Sequence, residues 1–125
     1  MHTFELRNID AVVGPQKFEK LVRDGVCLFD EFENNIEDCY KSEIAGIYAV
    51  MNEVANLRSV PRGKFHFYDK TKGANREFEF KSSHLRVYGI TKPNGMLVIV
   101  GGTKAKQKKD ENEFRKFKNE YLETL

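Results

Sequence analysis

Two kinds of spacing divide this chain. Up to about residue 57 the apolar residues recur every three or four positions, and from Lys64 onward they recur every second position. Thr3–Leu6 reads as a short strand. Gly14-Pro15 then reads as a helix start with proline at the first helical position, and Phe18, Leu21, Val22, Leu28, Phe29, Phe32 and Ile36 continue it at helical spacing. Asp24-Gly25 weakens that helix or divides it in two. Tyr40, Ile44, Ile47, Met51 and Val54 make a cleaner stripe, which assigns residues 38–57 to a second helix.

Pro61 and Gly63 end the helical half. Lys64–Asp69 reads as a strand and Thr71–Asn75 as a turn. Arg76–Lys81 alternates strictly, with Phe78 and Phe80 on one face and Glu77, Glu79 and Lys81 on the other. His84–Ile90 places Leu85 and Val87 on one face and Arg86 and Tyr88 on the other. Lys92-Pro93-Asn94-Gly95 signals a turn, and Met96–Val100, apolar on both faces, suits a central strand. Thr103–Lys109 reads as a basic loop. Asp110 with Glu113 resembles an N-cap and its capping-box partner, opening a helix striped by Phe114, Phe117, Tyr121, Leu122 and Leu125. Helices first and consecutive strands afterwards predict an α+β domain. Two N-terminal helices pack on a mostly antiparallel four- to five-stranded sheet, and a C-terminal amphipathic helix follows.

Length and composition agree with one domain spanning residues 1–125. The 40% hydrophobic content is too high for a disordered chain despite 32% charge. Apolar runs reach only about five residues, too short for a membrane span, and the N-terminus lacks a signal-peptide core. A cytoplasmic protein without a membrane partner is expected. Cys27 and Cys39 suit reduced thiols, and with no CxxC pair or Cys/His cluster neither a metal nor a cofactor is expected.

Charge changes the picture most. Residues 1–57 hold five Lys/Arg against eleven Asp/Glu, whereas residues 58–109 hold thirteen against three. Such segregation points to a polyanion-facing surface. If Phe78, Phe80, Leu85 and Val87 face the core, Arg86 and Tyr88 share an outer face with Glu79 and Lys81, rimmed by Lys104, Lys106, Lys108 and Lys109. Arginine donates in pairs to phosphate oxygens, and an aromatic ring stacks an unpaired base for roughly 1–3 kcal/mol. No helix carries the basic charge, so single-stranded RNA suits this surface better than duplex DNA. The bland alternatives are a solvated basic face, an Arg86–Glu79 salt bridge and a half-buried Tyr88.

The run EFEFKSSHLRVYGITKPNGMLVIVGGTKAKQKKD resembles the C-terminal half of RelE/HigB-type toxins of bacterial toxin–antitoxin pairs. There a strand carrying an arginine and an aromatic is followed by a turn, a hydrophobic strand and a Lys-rich segment, here LRVYGI, TKPNG, MLVIV and GGTKAKQKKD. The resemblance covers about residues 76–125. It implies a metal-independent endoribonuclease that cuts messenger RNA on the ribosome and is neutralised by a cognate antitoxin. It carries Arg86 over as phosphate clamp, Lys104 and Lys106 as the basic pair after the last strand, and Lys81 as a further cation, with Glu79 and Tyr88 beside them. His84, Lys108, Lys109 and Arg76 are candidate RNA contacts. Two departures stand out: Ala105 separates the two lysines, and no histidine or tyrosine follows the lysines at the usual place.

The general base stays open among the clustered lysines, Glu79 and His84; His66, between two phenylalanines, should face away from them. Two other functions fit the same pattern: a ParE-like inhibitor of DNA gyrase, and a non-catalytic RNA- or ribosome-binding module. The nuclease reading asks that the cations of the second half gather in one exposed patch with Arg86 accessible.

Overall fold

A computed structural model describes residues 1–68 and 73–125. Asp69 of the expected third strand, and Thr71 and Lys72 of the turn after it, lie outside the described residues. The strands are β1 (Phe4–Asn8), β2 (Lys17–Arg23), β3 (Phe65–Phe67), β4 (Glu77–Lys81), β5 (Leu85–Lys92) and β6 (Gly95–Thr103). The helices are α1 (Leu28–Asn35), α2 (Lys41–Ala55) and α3 (Gln107–Leu122), with single 3-10 turns at Asp38–Tyr40 and Lys104–Lys106. The strands form one open sheet in the order β1-β2-β6-β5-β4-β3. Every neighbouring pair is antiparallel except β2 with β6, which run parallel. The α+β class and the mostly antiparallel sheet are as expected; the sheet has six strands, one of them unforeseen.

That strand is β2, where a helix was expected. Phe18, Leu21 and Val22 sit at helical spacing, but the same spacing serves a strand buried on both faces. Phe18 and Val22 enter one core cluster while Leu21 enters the other. Asp24 and Gly25, both at positive φ (50° and 83°), turn the chain out of β2, so α1 keeps only the segment after them. Gly14-Pro15 starts no helix; Gly14 packs against the Ala55 carbonyl at the end of α2, where a side chain would collide.

α1 and α2 cover one face of the sheet and α3 covers the other. The first layer is wholly apolar at its centre: Phe18, Phe78, Phe80, Leu85, Val87 and Met51 are at most 2% exposed. The second layer joins Leu21, Tyr88, Ile90, Leu97 and Ile99 to Phe114, Phe117 and Tyr121 of α3. A register shift at Tyr88/Gly89 leaves Ile99 as an extra residue in β6, so Ile99 and Val100 both join the α3 layer. The expected outer face of β4 and β5 is therefore a second interior. Leu125 does not complete the α3 stripe; it is exposed. Among the described residues no helix is long and apolar enough to cross a membrane, and Cys27 and Cys39 are free thiols.

Candidate nucleic-acid interface

The basic residues of the second half do not share a sheet face. They divide between its two ends. At one end β4 stops at Lys81, the chain turns through Ser82–His84 into β5, and β6 stops at Thr103, paired with Leu85. The Lys104 amide donates to the His84 carbonyl (2.7 Å), and the Lys81 amide donates to the Lys64 carbonyl (2.9 Å). One rim thus brings together Lys64, Lys81, His84, Lys104 and Lys106, with Lys108 and Lys109 in the first turn of α3. All but the half-buried Lys81 are exposed. The expected basic loop at 103–109 is instead a 3-10 turn running into the helix, and Asp110 lies inside α3 rather than at its N-cap, which Lys106 occupies.

Arg76 is not at this rim. It stands before β4, roughly 17 Å from Lys81 at ~3.3 Å per residue, with its guanidinium 4.0 Å from the Phe67 ring centroid.

Arg86, Glu79 and Tyr88 are corrections. The sequence pattern puts them on an open surface, and α3 lies across that surface. Arg86 is 8% exposed and donates from Nη1 to the carbonyls of Ser82 (2.6 Å) and Leu85 (2.7 Å), with Glu79 at 4.0 Å. Glu79 accepts from His66 Nε2 (2.8 Å) and Gln107 Nε2 (3.1 Å). The Tyr68 hydroxyl donates to Glu111 (2.6 Å) and lies 3.3 Å from Glu79. Tyr88 is sealed and stacks on Phe114 at 5.8 Å; burial, then Glu79, Glu111 and Asp110, push its hydroxyl pKa up. Arg86 Nε and the Tyr88 hydroxyl have no hydrogen-bond partner. An accessible Arg86 was required of the phosphate clamp, and that role is withdrawn. In this fold Arg86 fixes the backbone of the β4–β5 turn.

The turn that Arg86 fixes carries the most chemically competent group of the rim. His84 Nδ1 is 2.7 Å from Glu43 Oε2, and its amide donates to Glu43 Oε1 at 2.8 Å. Ser82 Oγ also donates to Glu43. Burial works against the Glu43 charge, but the hydrogen bonds from Ser82 and His84 outweigh it and hold its pKa below the ordinary range. A carboxylate only accepts, so the Nδ1 proton points to Glu43 and Nε2 of the neutral ring is left as the acceptor. Tyr40 stacks on the imidazole at 4.9 Å, yet the side chain remains 58% exposed.

Glu43, Tyr40 and Lys64 are the rim residues that sequence reasoning missed. Glu43 is 41 residues from His84, on another element, and nothing local announces the pairing. Lys64 had a signal: it precedes the strand that pairs with β4.

Beside the rim, a cleft of about 470 Å³ opens between α1 with the Asp38–Tyr40 turn and the start of α3. Tyr40, Thr103, Lys106 and Lys109 belong to both. No protein-family model, curated protein or solved structure matches this chain.

Proposed function

We propose that this protein is a toxin-type endoribonuclease that cuts messenger RNA on the ribosome, and that the work is done at the lysine rim by His84. The buried Arg86 cannot serve as the phosphate clamp that the sequence pattern required, so the reading rests instead on the Glu43–His84 pair, an oriented and exposed imidazole set among exposed lysines. The resemblance of residues 76–125 to RelE/HigB-type toxins supplies the reaction class, and neutralisation by a cognate antitoxin belongs to the same reading. His84 Nε2 takes the proton of a ribose 2′-hydroxyl. The 2′-oxygen attacks the adjacent phosphorus, and the bond from phosphorus to the 5′-oxygen breaks. A 2′,3′-cyclic phosphate and a 5′-hydroxyl result, with the leaving oxygen protonated by the ammonium of Lys104 or Lys106. The lysines also offset charge building on the phosphorane. Imidazole suits the base role because one ring nitrogen accepts a proton while the other stays bonded to its orienting carboxylate, and general bases contribute about 10²–10⁴ in rate.

Cell-free translation tests this. The wild-type protein should produce discrete, ribosome-dependent cuts in the message, and His84→Ala should slow them by about 10²–10⁴. Neutralising Lys104 and Lys106 should flatten the salt dependence of RNA binding by about 0.7 in log–log slope for each phosphate they pair with. Intact message with blocked DNA supercoiling would assign the protein to gyrase inhibition instead. RNA binding with neither effect would make it a non-catalytic module.

A further inference from the structure

The sheet ends on one side at β1 and on the other at β3, and the two edges are unlike. β3 has three residues, too short to offer a neighbour much. β1 has five, Phe4–Asn8, in unbroken register with β2 and without a proline. Among the described residues no strand lies on its outer side. Neither helix layer is centred over it, since α1 lies on β2 and β6 and α3 on β5 and β6. The flanking bonds fix which backbone groups face out. The Thr3 carbonyl accepts from the Asp24 amide (2.8 Å), and the Ile9 amide donates to the Phe18 carbonyl (3.0 Å). Hydrogen-bonded pairs alternate along an antiparallel ladder. Glu5 and Arg7 therefore turn their N–H and C=O to β2, and Phe4, Leu6 and Asn8 turn theirs outward.

A row of unpaired N–H and C=O groups is a template for another strand, and charged side chains are one means of closing it. Here the charges close it to most strands and open it to one. Phe4 and Leu6 pack toward α3, so Glu5 and Arg7 lie on the opposite face. They meet at 3.1 Å along their own strand, as an exposed pair that contributes little. A two-fold axis perpendicular to the sheet would set a second β1 antiparallel to the first. With Leu6 opposite Leu6, Phe4 faces Asn8 on either side, and every outward N–H of both copies finds a C=O. Glu5 of each copy then stands opposite Arg7 of the other. Sliding the strands by two residues either way loses a bonded pair and sets Glu5 against Glu5 or Arg7 against Arg7. Opposite charges directly across an antiparallel pair stabilise it, and like charges destabilise it. The strand FELRN is thus complementary to itself in the one register that uses its whole length.

We infer that two copies of this chain join edge to edge through β1, antiparallel about a two-fold axis at Leu6, with Glu5 and Arg7 of each copy paired to Arg7 and Glu5 of the other. A second copy suits this edge better than a foreign strand because the complementarity lies within the sequence of β1 itself. On the α3 side the same axis brings the two half-buried Leu6 side chains together. They lie beside Phe4, which already packs edge-on to Tyr121 at 5.6 Å. A five-residue edge makes a small contact, so the dimer depends on concentration. It uses none of the rim residues and stands independently of the nuclease reading.

Sedimentation equilibrium on the full chain tests it. The mass should rise from 14.5 kDa to twice that between micromolar and millimolar concentration. Glu5→Arg and Arg7→Glu each set like charges opposite one another on both sides of the axis, and each should weaken the dimer by roughly tenfold or more. Mixed in equal amounts, these two variants should pair with each other about as tightly as the wild type, because every cross-strand pair is then opposite in sign again. The double variant Glu5→Arg/Arg7→Glu should dimerise with itself for the same reason. Amide exchange gives a second readout. On dimerisation the amides of Phe4, Leu6 and Asn8 should slow, and those of Glu5 and Arg7, already turned to β2, should not. A wild-type chain that keeps the mass of one copy up to millimolar concentration overturns the inference, in favour of an edge that its charges keep solvated. A dimer that either single variant leaves intact, or single variants that fail to pair when mixed, overturns it by placing the contact elsewhere. Slowing of the Leu6 amide only with a different protein added, never with concentration, overturns it in favour of a foreign strand.

Discussion

The two covered faces of the sheet are built on opposite principles. Against α1 and α2 the sheet presents phenylalanines and aliphatics at its centre. Against α3 it presents every buried charged residue among those described: Glu19, Glu77, Glu79 and Arg86. Each needs partners there. Lys92 donates to Glu19, and Arg115 and Lys118 of α3 reach Glu77 at 3.3 and 3.0 Å. A buried charge costs several kcal/mol in desolvation, which its partner roughly offsets, so such pairs add little net stability. The apolar face holds the fold together. The polar face dictates where α3 lies, and through Arg86 it positions the turn that carries His84.

The largest expected effect is on the apolar face. Phe80 is fully buried, with ring centroids of Phe18 at 6.1 Å and Phe65 at 4.6 Å. Phe80→Ala should cost about 3–5 kcal/mol, a large part of a small domain's stability. Urea unfolding measures it. A loss no larger than that from replacing Glu77, Arg115 and Lys118 together by apolar residues would erase the distinction between the faces.

That face is also the one whose pattern could be read along the chain. Strict alternation in β4 and β5, the Pro-Asn-Gly turn and the α2 stripe each describe an element that meets apolar neighbours on a known side. The reading failed wherever a segment is buried on two sides. β2 passed for a helix because Phe18, Leu21 and Val22 stand at helical spacing, whereas in the strand they serve two opposite faces. Glu77, Glu79, Arg86 and Tyr88 passed for a surface because polar side chains at period two ordinarily face water; only the docking of α3 reverses that. The basic rim was legible as charge, and its lysines after β6 stand at one end of the sheet rather than around an open sheet face. Its orienting carboxylate was not, since Glu43 reaches His84 through tertiary structure alone.

An intermediate effect is expected on the polar face. Arg86→Met keeps the bulk and removes the bonds to the Ser82 and Leu85 carbonyls, at a cost of about 1–3 kcal/mol. As a positioning residue Arg86 should affect cutting through His84, lowering the rate while the salt slope of RNA binding stays as in the wild type. A fall in that slope by the ~0.7 of one neutralised phosphate would instead restore the clamp assigned to Arg86 from sequence.

The smallest effect concerns Asp110, at the border between polar face and cleft. Burial, then the neighbouring Glu113, push its pKa above the ordinary 3.8, while Lys106 and Lys109 pull it down less strongly. The folded protein therefore holds this proton more tightly than the unfolded chain. Its contribution to stability is complete below pH 3.8 and is lost as pH rises through the elevated folded value. At pH 7 the wild-type protein carries a partly desolvated charge that Asp110→Asn lacks. The variant should then be the more stable of the two, by on the order of 0.5 kcal/mol, and its advantage should fade below pH 3.8, where both side chains are neutral. Melting curves of the two proteins at pH 7 and pH 3 decide it. A variant less stable at pH 7, or a gap that ignores pH, would mean that the Asp110 charge is already satisfied in the folded protein.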